Sequence, residues 1–170
     1  VGDIGIELFA HGESSSVVCT NNRINQVNYG QFSIPSPCQG IGVEHYDDTC
    51  SCNVTGNIIA QIAPNGGKFF GVQTQTSTGV RIDGNIIRGL AQVYADAVAV
   101  VINNGSQACV VTNNSFFGDI GFVILYSGNN HVVRNNIGYP RGGPGGFSNF
   151  SAGDQYVNDL GPWNNIGTFA

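Results

Sequence analysis

Short segments along this chain alternate between hydrophobic and polar positions, and this period of two residues predicts β-strands with one buried face. Five segments superimpose without gaps as apolar, variable, apolar, polar, Asn or Gly, Asn, except that the last opens with a histidine. These motifs occupy residues 17–22, 52–57, 80–85, 109–114 and 131–136. A second family of apolar segments lies between them, at residues 5–8, 42–45, 71–74, 99–102 and 122–125, with a weaker member at 146–149.

The spacing of the motifs predicts how these strands are organised. The final asparagine recurs every 22 to 35 residues, at Asn22, Asn57, Asn85, Asn114 and Asn136. A repeat of this length with two or three short strands is typical of one solenoid coil, because a single coil cannot bury its own inner face. We therefore predict an all-β fold, a right-handed parallel β-helix of about five to six coils.

Stacking of the coils predicts which side chains form columns in the core. The first column is Val17, Cys52, Val80, Cys109 and His131; the second is Cys19, Val54, Ile82, Val111 and Val133; the third is Ile6, Val43, Val72, Val100 and Val123. An apolar residue follows each motif, at Ile24, Ile59, Ile87 and Phe116, and one place earlier at Ile137. The asparagine column is predicted to tolerate left-handed backbone at a tight bend and to hydrogen-bond along the stack.

Composition excludes several other classes of protein. Charged residues are only 10% of the chain, against about 25% on average, while there are 25 glycines and 20 asparagines. This balance argues against a helical bundle or a coiled coil. The formal net charge of −5 argues against nucleic acid as a partner, and no apolar stretch is long enough for a membrane span.

The five cysteines are an odd number and lack the spacing of metal ligands, so we predict no metal and no cofactor. Buried free thiols are the favoured interpretation, although a bridge between Cys38 and Cys50 stays open. The chain opens without Met or a signal peptide, which favours a processed product or a piece of a longer chain. Residues 1–153 are predicted to form the β-helix, as a fragment or capped by a larger assembly. Residues 154–170 are predicted to form a C-terminal cap or trailing arm.

The asparagine-ended motifs resemble the right-handed parallel β-helix of the pectin-lyase-like superfamily, over roughly residues 5 to 150. That superfamily includes polysaccharide lyases, polygalacturonase-type hydrolases, mannuronan epimerases and bacteriophage tailspikes. The resemblance implies a polysaccharide or cell-surface glycan as partner, an extracellular or virion location, and assembly as a homotrimer or larger. The catalytic motifs of these enzymes are absent, so no catalytic residue is carried over.

Acidic residues are the candidates for catalysis, because glycoside hydrolysis needs two carboxylates. Glu7 and Glu44 are predicted to stack at equivalent outward positions of adjacent coils, so that one stays protonated as general acid. Asp47 and Asp48 are predicted to assist them, unless they only form the turn after the strand. The predicted substrate-binding residues are Tyr46, Gln73, Gln75 and Asn103.

Two classes of function therefore remain in competition. The first is a glycan-recognition β-helix, extracellular or virion-associated, that could be a polysaccharide hydrolase or lyase. The second is a non-catalytic structural solenoid that spaces or assembles other domains. Elsewhere, Asp83 is predicted to form an Asx-type turn, His131 to be a hydrogen-bonded core residue, and Arg81 and Arg134 to point outward.

Overall fold

The computed structural model describes residues 4–10, 16–26, 38–45, 51–61, 69–89, 97–103, 105–118, 121–125, 128–139, 146–148 and 155–157. The first six strands are β1 (Ile4–Ala10), β2 (Ser16–Thr20), β3 (Arg23–Gln26), β4 (Cys38–His45), β5 (Ser51–Thr55) and β6 (Ile58–Gln61). The next six are β7 (Phe69–Gln75), β8 (Arg81–Asp83), β9 (Ile86–Arg88), β10 (Ala97–Asn103), β11 (Val110–Thr112) and β12 (Ser115–Phe117). The last five are β13 (Gly121–Leu125), β14 (Val132–Arg134), β15 (Ile137–Tyr139), β16 (Gly146–Ser148) and β17 (Gln155–Val157).

Every third strand belongs to the same sheet, and all the pairings between strands are parallel. Sheet A has the order β1-β4-β7-β10-β13-β16, sheet B runs from β2 to β17, and sheet C contains β3, β6, β9, β12 and β15. We call three consecutive strands, one from each sheet, a pass. The described residues are all-β and contain no helix that could cross a membrane. This arrangement is consistent with a parallel β-helix.

The third strand of each pass was not recognised in the sequence as a separate strand. Sheet C is built from the residues that follow the asparagines, and its inward column is formed by the apolar residues noted after the first four motifs, Ile24, Ile59, Ile87 and Phe116. The predicted shift to Ile137 is wrong, because Gly138 pairs with Phe116 and Ile137 pairs with Ser115. The strand register therefore continues through a glycine, and Ile137 lies on the opposite face.

The predicted core columns of sheet B are correct. Cys19, Val54, Ile82, Val111 and Val133 lie in one register, and Val17 pairs with Cys52. In sheet A the predicted column is wrong at one place, because Ile6 pairs with Ile41 and Val43 pairs with Leu8. The error has a simple origin: Gly40-Ile41 and Gly42-Val43 are both glycine–apolar pairs, and the sequence match chose the second.

One apolar core lies between the three sheets. Ile41, Cys52 and Ile59 are fully buried, whereas their first-pass equivalents Ile6, Val17 and Ile24 are only partly buried. Sheets A and C approach closely at Gly71, where an added Cβ would lie 2.5 Å from Ile87 Cγ2 and 2.6 Å from the Ala99 carbonyl oxygen. A side chain at position 71 would therefore force sheets A and C apart.

The bend between sheets B and C, which we call the asparagine corner, contains a continuous ladder of hydrogen bonds. Each Nδ2 donates to the Oδ1 of the next asparagine, over 3.0, 2.9, 3.0 and 2.9 Å from Asn22 to Asn136. Each Oδ1 from Asn57 onward also accepts the backbone N–H of the preceding asparagine, and every Nδ2 donates to a backbone carbonyl. The ladder satisfies backbone groups that the bend leaves out of the sheets.

The left-handed backbone of the asparagine corner lies one residue before the ladder, which corrects the prediction. Positive φ angles occur at Asn21, Gly56, Gly84, Asn113 and Asn135, between 56° and 66°. The motif therefore divides two tasks between neighbouring residues. The first Asn or Gly adopts the strained conformation, and the second Asn supplies the inward amide.

Sheet B continues past the boundary predicted at residue 153. Strand β17 pairs in parallel with β14, with Arg134 opposite Val157. Residues 158–170, including Trp163, lie outside the described residues, so their role as a cap or arm stays a prediction.

Candidate functional site

The predicted acidic pair does not stack directly. Glu7 pairs with Gly42, and Glu44 pairs with Phe9, so the two glutamates lie diagonally on sheet A. Diagonal neighbours on adjacent strands have Cα atoms about 7–8 Å apart, against about 5 Å for direct partners. The two-residue register error in sheet A explains the difference. The prediction that these two carboxylates stack directly is therefore wrong, whereas their catalytic roles stay predictions.

The other predicted site residues of sheet A fall into two columns. Glu44, Gln75 and Asn103 share one column and are half-buried, so the structure brings these three together. Gln73 instead shares a column with Glu7 through Gly42, and it is only 3% exposed. Its Oε1 is buried without a hydrogen-bond partner. Gln73 is therefore not accessible to a sugar in this structure.

The remaining predicted residues, Tyr46, Asp47 and Asp48, lie outside the described residues. The side chains of His45, Cys38 and Cys50 are also outside the part of the chain that the structure describes. A Cys38–Cys50 bridge therefore stays open. The assisting roles of Asp47 and Asp48 and the sugar contact of Tyr46 therefore stay predictions.

The outward face of sheet C contains a groove of about 510 Å³, which the sequence did not predict. Two outward columns run across it from the first pass to the fifth. They are Arg23, Ile58, Ile86, Ser115 and Ile137, and Asn25, Ala60, Arg88, Phe117 and Tyr139. The groove is lined by Arg23, Asn25, Ile58, Ile59, Ala60, Ile86, Arg88, Phe117, Gly118 and Tyr139.

Several large apolar side chains on this face are open to solvent. Ile58, Ile86 and Tyr139 are 41%, 43% and 48% exposed, although each belongs to a well-formed strand. Contiguous exposed apolar surface of this kind marks a binding site more often than a solvated face. The sequence did contain a signal, because the doubled apolar residues at 58–59, 86–87 and 116–117 leave one member of each pair facing outward.

Two aromatic rings are stacked at one end of the groove. The centroids of Phe117 and Tyr139 are 4.8 Å apart and their planes differ by 8°. The chain leaves β12 through Gly118, whose φ is 109° and whose added Cβ would collide with the Gly89 carbonyl oxygen. Glycine at position 118 therefore lets the third and fourth passes approach closely beside the rings.

The charge in the groove is positive, although the chain as a whole is acidic. Arg23 and Arg88 are exposed, and the guanidinium group of neither forms an ion pair or hydrogen bond with the described residues. Among the described residues, the lining contains two arginines and no carboxylate. The arrangement offers two available guanidinium groups, an apolar floor and stacked rings, which suits an anionic ligand with apolar faces.

Arg81 on sheet B differs from these two arginines because its charge is compensated by Asp83. Arg81 donates to Asp83 Oδ2 over 3.1 Å, while Asp83 Oδ1 accepts from Thr112 Oγ1 and Asn113 Nδ2. Burial raises the pKa of the Asp83 carboxyl, but these hydrogen bonds and the Arg81 charge outweigh it and bring the pKa below its usual range. The acceptor contacts of Asp83 run to the next pass, rather than forming the predicted Asx-type turn.

Buried polar groups inside the stack are structural. His131 is fully buried, and its Nδ1 accepts the backbone N–H of Cys109 over 3.2 Å, as expected for a core histidine. Burial raises the pKa values of the Cys52 and Cys109 thiols to about 12, so neither is a nucleophile near neutral pH. Cys19, Cys52 and Cys109 are free thiols, as predicted. No group of three His, Cys, Asp or Glu within the described ranges could hold a metal ion.

Comparison with known proteins found no match. No family model, no curated protein and no solved structure matches the chain.

Proposed function

We propose that this chain is a right-handed parallel β-helix that recognises a glycan through the groove on sheet C. Three parallel sheets made from every third strand support the β-helix, and crossovers between parallel strands are right-handed in nearly all proteins. The resemblance of the motifs to the pectin-lyase-like superfamily points to the same fold. On this proposal the protein acts outside the cell or on a virion, where polysaccharides are the available polymers.

The groove itself carries the proposal. A sugar ring has apolar C–H faces and polar edges, so it binds best where aromatic and aliphatic surface lies beside hydrogen-bonding groups. Phe117 and Tyr139 offer the first kind of surface, and Asn25, Arg23 and Arg88 offer the second. The described residues that line the groove therefore offer both kinds of contact that a sugar needs.

Binding should be tested on a broad glycan array, followed by titration of the best ligand against groove variants. We expect Tyr139→Ala and Arg88→Ala each to weaken binding by about tenfold, roughly 1.4 kcal/mol. The matched control is Arg134→Ala, which removes an exposed arginine from sheet B, outside the groove. Absence of binding across the array, or equal effects of all three variants, would refute the groove as a glycan site.

A second candidate function is glycan hydrolysis on sheet A. The observation that favours it is the diagonal placement of Glu7 and Glu44 on one face of adjacent strands. Their Cα atoms, about 7–8 Å apart, allow the carboxyl separation of about 6.5–9.5 Å that is typical of inverting glycosidases. Glu44→Gln keeps the shape of the side chain and removes its charge. We expect a loss of polymer cleavage of about 10²–10⁴-fold if Glu44 is an acid or base. A loss below about tenfold, with folding intact, would exclude both roles.

If the array and the cleavage assay are both negative, the structural solenoid becomes the better proposal. Such a protein would space or assemble other domains and would use the exposed surface of sheet C as a contact. The two assays therefore separate the three functions, because groove variants affect only binding and Glu44→Gln affects only cleavage.

A further inference from the structure

The two available arginines of the groove are separated by an apolar stretch. Arg23 lies in the first pass and Arg88 in the third, in adjacent outward columns. Two strand spacings and two residues along the strand place their Cα atoms about 12 Å apart, of which about 9.6 Å is along the stacking direction. The second pass, between them, presents Ile58 and Ala60.

The strand spacing is close to the length of a sugar ring. A pyranose ring in an extended polymer advances the chain by nearly one strand spacing of about 4.8 Å. A polysaccharide lying along the stacking direction would therefore place about one ring over each pass. Its first and third rings would then lie beside Arg23 and Arg88, and its second ring would lie over Ile58 and Ala60.

This alternation favours a particular distribution of charge along the polymer. A carboxylate or sulfate on the first and third rings would meet a guanidinium, which forms strong charge-assisted hydrogen bonds. The same group on the second ring would lose water over Ile58 and Ala60 without gaining a cation, which is unfavourable. The arginine side chains are long and adjust to the ligand, so the apolar floor between them supplies the selectivity.

The far end of the groove accepts the continuing polymer. Rings four and five would lie over the passes that contain Phe117 and Tyr139. A charge on the fifth ring would remain in water, because Tyr139 is 48% exposed. The fourth pass presents Ser115 and Phe117 and no cation, so it too favours a neutral ring.

We infer that the groove selects an acidic polysaccharide in which charged and neutral sugars alternate, over one that is charged on every ring. This inference rests on the proposed function of the sheet C groove and narrows its ligand to a chemical class. Neutral glycans would bind more weakly, through the rings and the apolar floor alone.

Calorimetric titration of the full chain with four hexasaccharides tests the inference. The probes are a hyaluronate hexasaccharide, its carboxyl-reduced form, a hexagalacturonate and maltohexaose. We expect hyaluronate to bind at least tenfold more tightly than each of the other three. Arg23→Ala and Arg88→Ala should each weaken hyaluronate binding by about tenfold and maltohexaose binding by much less, since only hyaluronate offers them a carboxylate, while Arg134→Ala should change neither.

The outcomes separate the inference from the function on which it rests. Hexagalacturonate binding as tightly as hyaluronate, or unchanged binding after carboxyl reduction, would overturn the alternation while leaving the groove a glycan site. No binding of any probe, together with a negative glycan array, would instead refute the proposed function. The Ile58→Lys variant provides a further check, because a cation between the arginines should raise hexagalacturonate affinity selectively. An equal increase for hyaluronate would contradict the role of the apolar floor.

Discussion

The asparagine corner repeats two residue types in every pass, whereas the corner between sheets A and B changes from pass to pass. The second corner, which we call the serine corner, comprises residues 76–80, 105–109 and 128–131. Left-handed backbone occurs there at Gly79, Ala108 and Asn130, immediately before the core column of sheet B. The two corners therefore meet the same conformational need, but only the asparagine corner does so with a constant motif.

The inward polar groups of the serine corner also differ from a simple ladder. Thr74 Oγ1 donates to Ser106 Oγ over 3.2 Å, and Ser106 Oγ donates to the Asn103 carbonyl over 2.7 Å. Ser77 Oγ donates to the Gln75 carbonyl over 2.6 Å. In the last described pass of this corner, the inward acceptor is His131. Because different residues satisfy the polar groups of each bend, a search for sequence repeats does not detect this corner.

The largest expected effect is at the centre of the asparagine corner. Asn85→Leu removes four hydrogen bonds: two that its Nδ2 donates and two that its Oδ1 accepts from Asn57. Because it leaves buried polar groups unpaired, we expect a loss of about 3–4 kcal/mol in urea denaturation. The matched control is Asn22→Leu at the half-buried first rung, which should cost about 1 kcal/mol. If the two variants lost the same unfolding free energy, the interior rungs of the ladder would contribute no more than the first rung.

A smaller effect is expected in the serine corner. His131→Leu removes the acceptor of the Cys109 N–H inside the core, and one unpaired buried donor costs about 2 kcal/mol. Hydrogen exchange should show faster exchange of the Cys109 amide, relative to other amides of sheet B. Unchanged exchange at Cys109 would contradict the structural role of His131.

The third prediction is a gain in stability. Ala108 adopts a φ of 50°, where its Cβ is strained, so Ala108→Gly should stabilise the fold by about 1 kcal/mol. Ala60→Gly, in a strand with ordinary backbone, should instead cost about 0.5–1 kcal/mol. Thermal denaturation of the two variants would compare them, and a loss at both positions would contradict strain at the serine corner.

The smallest effect concerns Asp83, beside the asparagine corner. Its pKa is lowered in the folded state, so its contribution is present above the unfolded-state value of about 3.9 and is lost as pH falls through the lower folded value. Asp83→Asn should therefore cost about 0.5–1 kcal/mol at pH 7. That difference should shrink as the pH falls from about 5 to below 4. A difference that is constant with pH would show that the carboxylate charge contributes nothing.

The sequence alone was sufficient to predict the structure wherever one residue type recurs at one structural position. The asparagine ladder and the columns of sheet B were predicted because each rung or layer imposes the same requirement on the chain. Sheet A was harder, because two neighbouring glycine–apolar pairs match the pattern equally well. A two-residue shift preserves the inward and outward faces, so periodicity could not reject the wrong partner for Ile6.

Only the tertiary structure determined which residues line the groove. Arg23, Arg88 and Tyr139 are far apart in the sequence, and each by itself is an ordinary surface residue. Parallel stacking brings them onto one face because every third strand enters the same sheet. Local sequence determined the repeating strands and the asparagine bend, since those depend on backbone conformation and side-chain alternation. Only the register between passes determined which outward residues meet, because that choice depends on packing between distant parts of the chain.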